Sequence, residues 1–116
     1  MSNFAIYHNP RCSKSRQTLQ LLEDNGVVPE IVYYLETPLA KNEIKTLLKK
    51  LGISARALLR KGEDAYKDNN LNSMDLDDDY LVAMMAAHPK LIERPIVVKG
   101  VEAVLGRPPE NVLTLI

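Results

Sequence analysis

Apolar positions along the chain follow two different periods, and their order predicts an α/β fold. Phe4 to Tyr7 is a short apolar run closed by His8-Asn9-Pro10, which reads as a buried strand ending in a turn. From Ser13 to Asn25 the leucines at 19 and 22, with Leu21 beside them, recur at helical spacing, and Gly26 stands where a helix end uses left-handed geometry. Glu30 to Leu35 is β-branched and aromatic, which predicts a second strand. A βαβ unit, with parallel strands and a right-handed crossover, is therefore expected to open the protein.

The middle of the chain reads as helical. Ile44, Leu47, Leu48 and Leu51 fall at i, i+3, i+4 and i+7, Lys45, Lys49 and Lys50 take the other face, and Gly52 follows as a stop. Ser54 can cap a short helix through Leu59, and the polar stretch from Gly62 to Asn72 reads as loop and turns. Asp75, Asp77, Asp78 and Asp79 precede a third helix, with Leu81, Met84, Met85 and His88 expected on its apolar face and Pro89 at its end. Ile96-Val97-Val98 after Pro95, then Gly100 and Val101-Glu102-Ala103-Val104, predict a hairpin. Pro108-Pro109 can start a last helix with Val112, Leu113, Leu115 and Ile116 turned inward. The whole reads as a single domain over residues 1–116, a mixed sheet of βαβ…ββα order with a helical insertion over about 40–92.

Composition narrows the function. At 116 residues the chain can bury roughly two thirds of its unfolded surface, enough for a real core. Fifteen Lys and Arg balance fifteen Asp and Glu, so net charge gives no reason to expect nucleic acid or an anionic membrane as partner. No apolar run reaches the ~18 to 20 residues of a membrane span, and the first residues lack a signal-peptide layout, so a cytoplasmic location is expected. The acidic run lacks the glycine and distal glutamate of a calcium loop and reads as helix-start electrostatics, and no metal site is expected.

Cys12 is the single cysteine, which excludes an internal disulfide. A lone cytosolic cysteine is more often a small buried residue. The flank His8-Asn9-Pro10-Arg11-Cys12-Ser13-Lys14-Ser15-Arg16, however, is too polar for a core segment. Between a strand end and a helix start, unpaired N–H groups and the helix dipole favour an anion, and a thiolate is one. Arg11, Lys14, Arg16 and His8 are expected to help lower the thiol pKa from ~8.5 into the reactive range. Cys12 and Ser15 form a Cys-x-x-Ser pattern, the one-cysteine counterpart of a thioredoxin-type site. With no resolving cysteine, an oxidised Cys12 needs a thiol from another molecule.

Three segments together resemble the ArsC family of glutathione- and glutaredoxin-dependent arsenate reductases. They are Tyr7-His8-Asn9-Pro10-Arg11-Cys12-Ser13-Lys14-Ser15-Arg16, Ser54 to Arg60, and His88 to Val98, and the likeness continues through Gly106-Arg107-Pro108-Pro109. The resemblance implies a thioredoxin-like fold with Cys12 as nucleophile, His8 near the thiol, Pro95 as the cis-proline, and Arg60, Arg94 and Arg107 as holders of the oxyanion. It also implies that arsenate or a related oxyanion is the substrate, that glutathione is the external reductant with no bound cofactor, and that glutaredoxin clears the mixed disulfide. Arginine suits such a site because its planar fork makes paired, charge-assisted bonds to an oxyanion. The chain departs from the family in Ser13-Lys14, where the pattern has Gly-Thr, and in ending at Ile116 without a longer tail. Two alternatives stand beside this reading. One is a glutathione-dependent monothiol reductase without arsenate activity; the other is a regulator of the related Spx family that binds RNA polymerase, a group that typically carries Cys where this chain has Ser15.

Overall fold

The computed structural model describes residues 3–116. Four strands form one mixed sheet in the order β2-β1-β3-β4: β1 is Phe4–Tyr7, β2 Glu30–Val32, β3 Ile96–Lys99 and β4 Glu102–Leu105. β1 runs parallel to β2, with Ile6 opposite Ile31, and antiparallel to β3, with Ile6 opposite Val97. The β3-β4 hairpin pairs Lys99 with Glu102 across Gly100-Val101, and Gly100 takes a φ of +62° that costs glycine little. Val101 thus belongs to the turn, 83% exposed, instead of starting the strand. Helix α1 (Ser13–Asp24) links β1 to β2 and ends where Gly26 turns left-handed at φ +77°. This is the expected mixed α/β sheet with a thioredoxin-like order of elements.

The chain divides into two compact units. The first runs to Thr37 and resumes over Arg94–Ile116, so it contains the sheet and α1. Its core joins Ile6, Leu22, Val97, Val112 and Leu115, drawn from β1, α1, β3 and the C-terminal segment. That segment, Pro109–Leu115, is a 3₁₀ helix and not the α-helix that the prolines suggest. With three residues per turn, Pro109, Val112 and Leu115 line up and are buried, while Leu113 and Ile116 face outward at 45% and 49% exposure.

The second unit, Pro38–Glu93, is helical. It contains α2 (Lys41–Leu51), α3 (Ala55–Leu58), α4 (Asp64–Asp68), α5 (Asp78–Ala87) and a 3₁₀ turn at Pro89–Leu91. α2 buries Ile44, Leu47 and Leu48 and ends on Gly52 at φ +70°. Ser54 caps α3 by accepting from the Ala57 N–H at 3.2 Å, and Asp77 caps α5 by accepting from Tyr80 at 2.8 Å.

Three expectations are corrected in these elements. The polar stretch after Gly62 contains α4, made worthwhile by the burial of Tyr66 on an otherwise polar turn. The second strand stops at Val32, because Tyr33 O accepts from Glu36 and Thr37 at 3.0 Å each and turns the chain while Tyr34 is buried. His88 does not lie on the apolar face of α5. It is the exposed residue after the last turn, with φ −130° and ψ 80° as the chain adjusts to Pro89.

Candidate active site around Cys12

Everything that places Cys12 starts with the end of β1. His8 continues the β1-β2 ladder by donating to Val32 O at 2.9 Å, and the chain then folds over itself as Cys12 N donates to Asn9 O at 3.0 Å. Asn9 braces this loop, its Oδ1 accepting from Arg11 N at 3.0 Å. Cys12 becomes the N-cap of α1 with extended backbone, φ −92° and ψ 123°, and its carbonyl accepts the helix's early bond from Arg16 N at 3.0 Å. The thiol is free and half-buried. It therefore occupies the position where an anion meets unpaired helix N–H groups.

The thiol pKa is lowered as the outcome of opposing effects. Burial pushes it up, but the Ser15 N–H, the Arg94 side chain through a hydrogen bond and its charge, and the Lys14 N–H together outweigh that. The cation that acts on the thiol thus comes from residue 94, far along the sequence. Of the neighbouring positions, Ser15 and Lys14 act through their backbone, and Arg16 turns its guanidinium to Pro10 O at 2.9 Å. Arg107 adds a second distant cation, its Nη1 4.0 Å from Cys12 Sγ and 3.3 Å from Arg94 O.

His8 is buried, with Nδ1 2.6 Å from Ser15 Oγ, and that oxygen also accepts from Asn9 N at 3.1 Å. Burial and then the Arg16 charge hold the His8 pKa below its usual value, so the ring is neutral near pH 7. His8 and Ser15 therefore fix the loop beneath the thiol, and a positive charge on His8 is not what stabilises the thiolate.

The Arg94-Pro95 peptide is cis, as the family resemblance implies, and so is Arg107-Pro108, which no local pattern marks. Gly106 N donates to Pro95 O at 2.9 Å, joining the two arginine-bearing segments. Cys12, Arg94 and Arg107 thus converge in the first unit with Pro95, His8, Ser15 and Arg16 around them. Arg60 belongs to the helical unit, where Glu93 Oε1 lies 2.5 Å from Nη1 and Glu63 Oε2 lies 3.5 Å from Nε. Among the described residues no group of His, Cys, Asp and Glu could hold a metal ion, and no helix is long and apolar enough to cross a membrane.

Sequence reading misses Thr18. It is fully buried in α1, and its hydroxyl lies 2.8 Å from Lys14 O and 3.2 Å from Gly106 O. Its partner 88 positions away leaves no local signal.

Comparison with known proteins gives a consistent picture. The model of the ArsC family matches residues 7–115. The chain is 55% identical over 112 residues to the uncharacterized protein YfgD of Escherichia coli K12, covering 96% of this chain and 94% of that one. It is 48% identical to a protein named arsenate reductase from Neisseria meningitidis serogroup B, with 97% of each chain covered. A solved structure named arsenate reductase from Vibrio cholerae superposes with a TM-score of 0.95 at 53% identity, covering 97% of each chain.

Proposed function

The chain belongs to the ArsC family, and on that premise we propose that it reduces arsenate to arsenite through a covalent adduct on Cys12. The observation that carries this reading is the convergence of a lowered-pKa thiol with two arginines from distant segments. A disulfide substrate has no comparable charge at its reacting atoms, whereas a tetrahedral oxyanion needs several donors to offset its lost hydration.

In the proposed sequence, Arg94 and Arg107 hold arsenate over the thiolate. Cys12 sulfur bonds arsenic, and a hydroxide leaves as water after taking up a proton. A glutathione thiolate then attacks Cys12 sulfur. The new S–S bond forms, the S–As bond breaks, and its electron pair stays on arsenic, which passes from As(V) to As(III) and departs as arsenite. Glutaredoxin takes the glutathionyl group and returns Cys12 as thiolate. Glutathione is an external reductant, and the chain needs no bound cofactor. A single cysteine kept reduced fits a cytoplasmic setting.

The test is arsenate turnover with glutathione and glutaredoxin, run beside glutathione-dependent disulfide exchange on a model substrate. Arsenite formation that vanishes in Cys12→Ser supports the proposal. Disulfide exchange without arsenite formation would replace it by the monothiol reductase reading.

A further inference from the structure

We infer that Thr18 is a positioning residue for the oxyanion, setting the distance between the thiol-bearing helix and the loop that carries Arg107. The inference rests on reading Cys12 and Arg107 as parts of an oxyanion site. A helical threonine commonly bonds the carbonyl four residues back, and Thr18 Oγ1 does so with Lys14 O at 2.8 Å. Its second acceptor is what matters. The same hydroxyl lies 3.2 Å from Gly106 O, the carbonyl immediately before Arg107, and Thr18 has no exposed surface.

Steric contact reinforces the bond. A Cβ on Gly106 would stand 2.6 Å from Thr18 Oγ1 and 2.8 Å from Pro95 Cγ, so Thr18, Gly106 and the cis-proline meet with no space between them. Residues 106 and 107 are also tied to the loop before β3, by Gly106 N to Pro95 O at 2.9 Å and Arg107 Nη1 to Arg94 O at 3.3 Å. Asn111 Nδ2 ties Arg107 O at 3.1 Å to the C-terminal 3₁₀ helix. The Thr18 bond ties the same segment to α1, the helix whose N-cap is Cys12. Through this bond the 4.0 Å approach of Arg107 to the sulfur is set from the helix side.

A guanidinium 4.0 Å from the sulfur favours a bound anion and the thiolate alike, so a displaced Arg107 should weaken anion binding and cannot lower the thiol pKa. Protection of Cys12 from iodoacetamide by arsenate gives the anion dissociation constant, and the pH dependence of unprotected alkylation gives the thiol pKa. Thr18→Val, which keeps the shape and removes the donor, should raise the dissociation constant at least threefold, with the alkylation midpoint no lower than in the parent. Thr18→Ser, which keeps the donor, should stay within twofold of the parent. Thr18→Ala carries the same expectation as Thr18→Val should the valine variant fold poorly. In a double-mutant cycle, Thr18→Val should add little to Arg107→Ala, because both act through one guanidinium. An unchanged dissociation constant in the donor-less variants, additive effects in the cycle, or a lowered thiol pKa would each overturn the inference. If arsenate failed to protect the parent protein at all, the oxyanion reading itself would fall, a result distinct from protection that ignores Thr18.

Discussion

The lowered pKa of Cys12 comes from its place at a helix start and from a distant arginine, not from the side-chain charges beside it in sequence. Its pKa is lowered by backbone N–H groups of the first helical turn and by Arg94, against the opposing effect of burial. Alkylation rate against pH should therefore show a midpoint below that of an ordinary thiol, and Arg94→Ala should move it upward. Arg94→Ala should also lower arsenate kcat/KM at least tenfold, about 1.4 kcal/mol of transition-state stabilisation, with a smaller loss in disulfide exchange. Arg94→Lys should recover only part of that, since a point charge lacks the two-donor fork. His8 yields a stability prediction. Its native pKa lies below the unfolded value of about 6.5, so in the interval between them the unfolded chain binds more protons. Stability is thus present above pH ~6.5 and is lost as pH falls toward the native value. Urea midpoints at neutral and mildly acid pH should diverge less in His8→Gln than in the parent.

Elements in the helical unit depend on their caps because they are short. α5 begins on Asp77, whose carboxylate accepts from Tyr80 N at 2.8 Å, and the next two residues place acid in its first turn. Asp77→Ala should cost about 1 kcal/mol, read as a lower urea midpoint at constant slope. Asp79 instead looks outward, paired with Lys45 at 2.8 Å and Lys41 at 3.2 Å on α2. Those groups are well exposed, so Asp79→Asn should change stability little, and less still in high salt.

At the scale of the whole molecule, the proposed oxyanion site would couple ligand to stability through the first unit. An anion held by Arg94 and Arg107, as proposed, would bind only the folded chain, and at 100 times its dissociation constant it should add about 2.7 kcal/mol. Arsenate should accordingly raise Tm in a concentration-dependent way, and the rise should shrink in Arg107→Ala. The core of this unit reaches the same helix, because Leu22, one of its members, lies on α1, whose N-cap is Cys12. Leu22→Ala, at a fully buried position, should cost 2 to 5 kcal/mol by the usual range for such truncations.

Local pattern was sufficient wherever the physics is local. The helical spacing of Ile44, Leu47, Leu48 and Leu51, the glycines that end α1 and α2, the Ser54 cap and the apolar run of β3 were all legible, since each depends on residues within a turn or a strand of one another. So was Cys12 at a helix start, because strand, proline turn and helix follow in immediate succession. The tertiary structure alone decided which charges reach the thiol: Arg16 lies four residues away and bonds Pro10 O, whereas Arg94 and Arg107 arrive through the pairing of β3 with β1 and of β4 with β3. It alone decided that Leu113 and Ile116 face outward, because only packing against Ile6 and Leu22 sets a three-residue period in the last segment. Thr18 is the extreme case, an ordinary helical threonine by sequence whose second acceptor lies 88 residues on, at a distance fixed by the closure of the sheet and by nothing nearer in the chain.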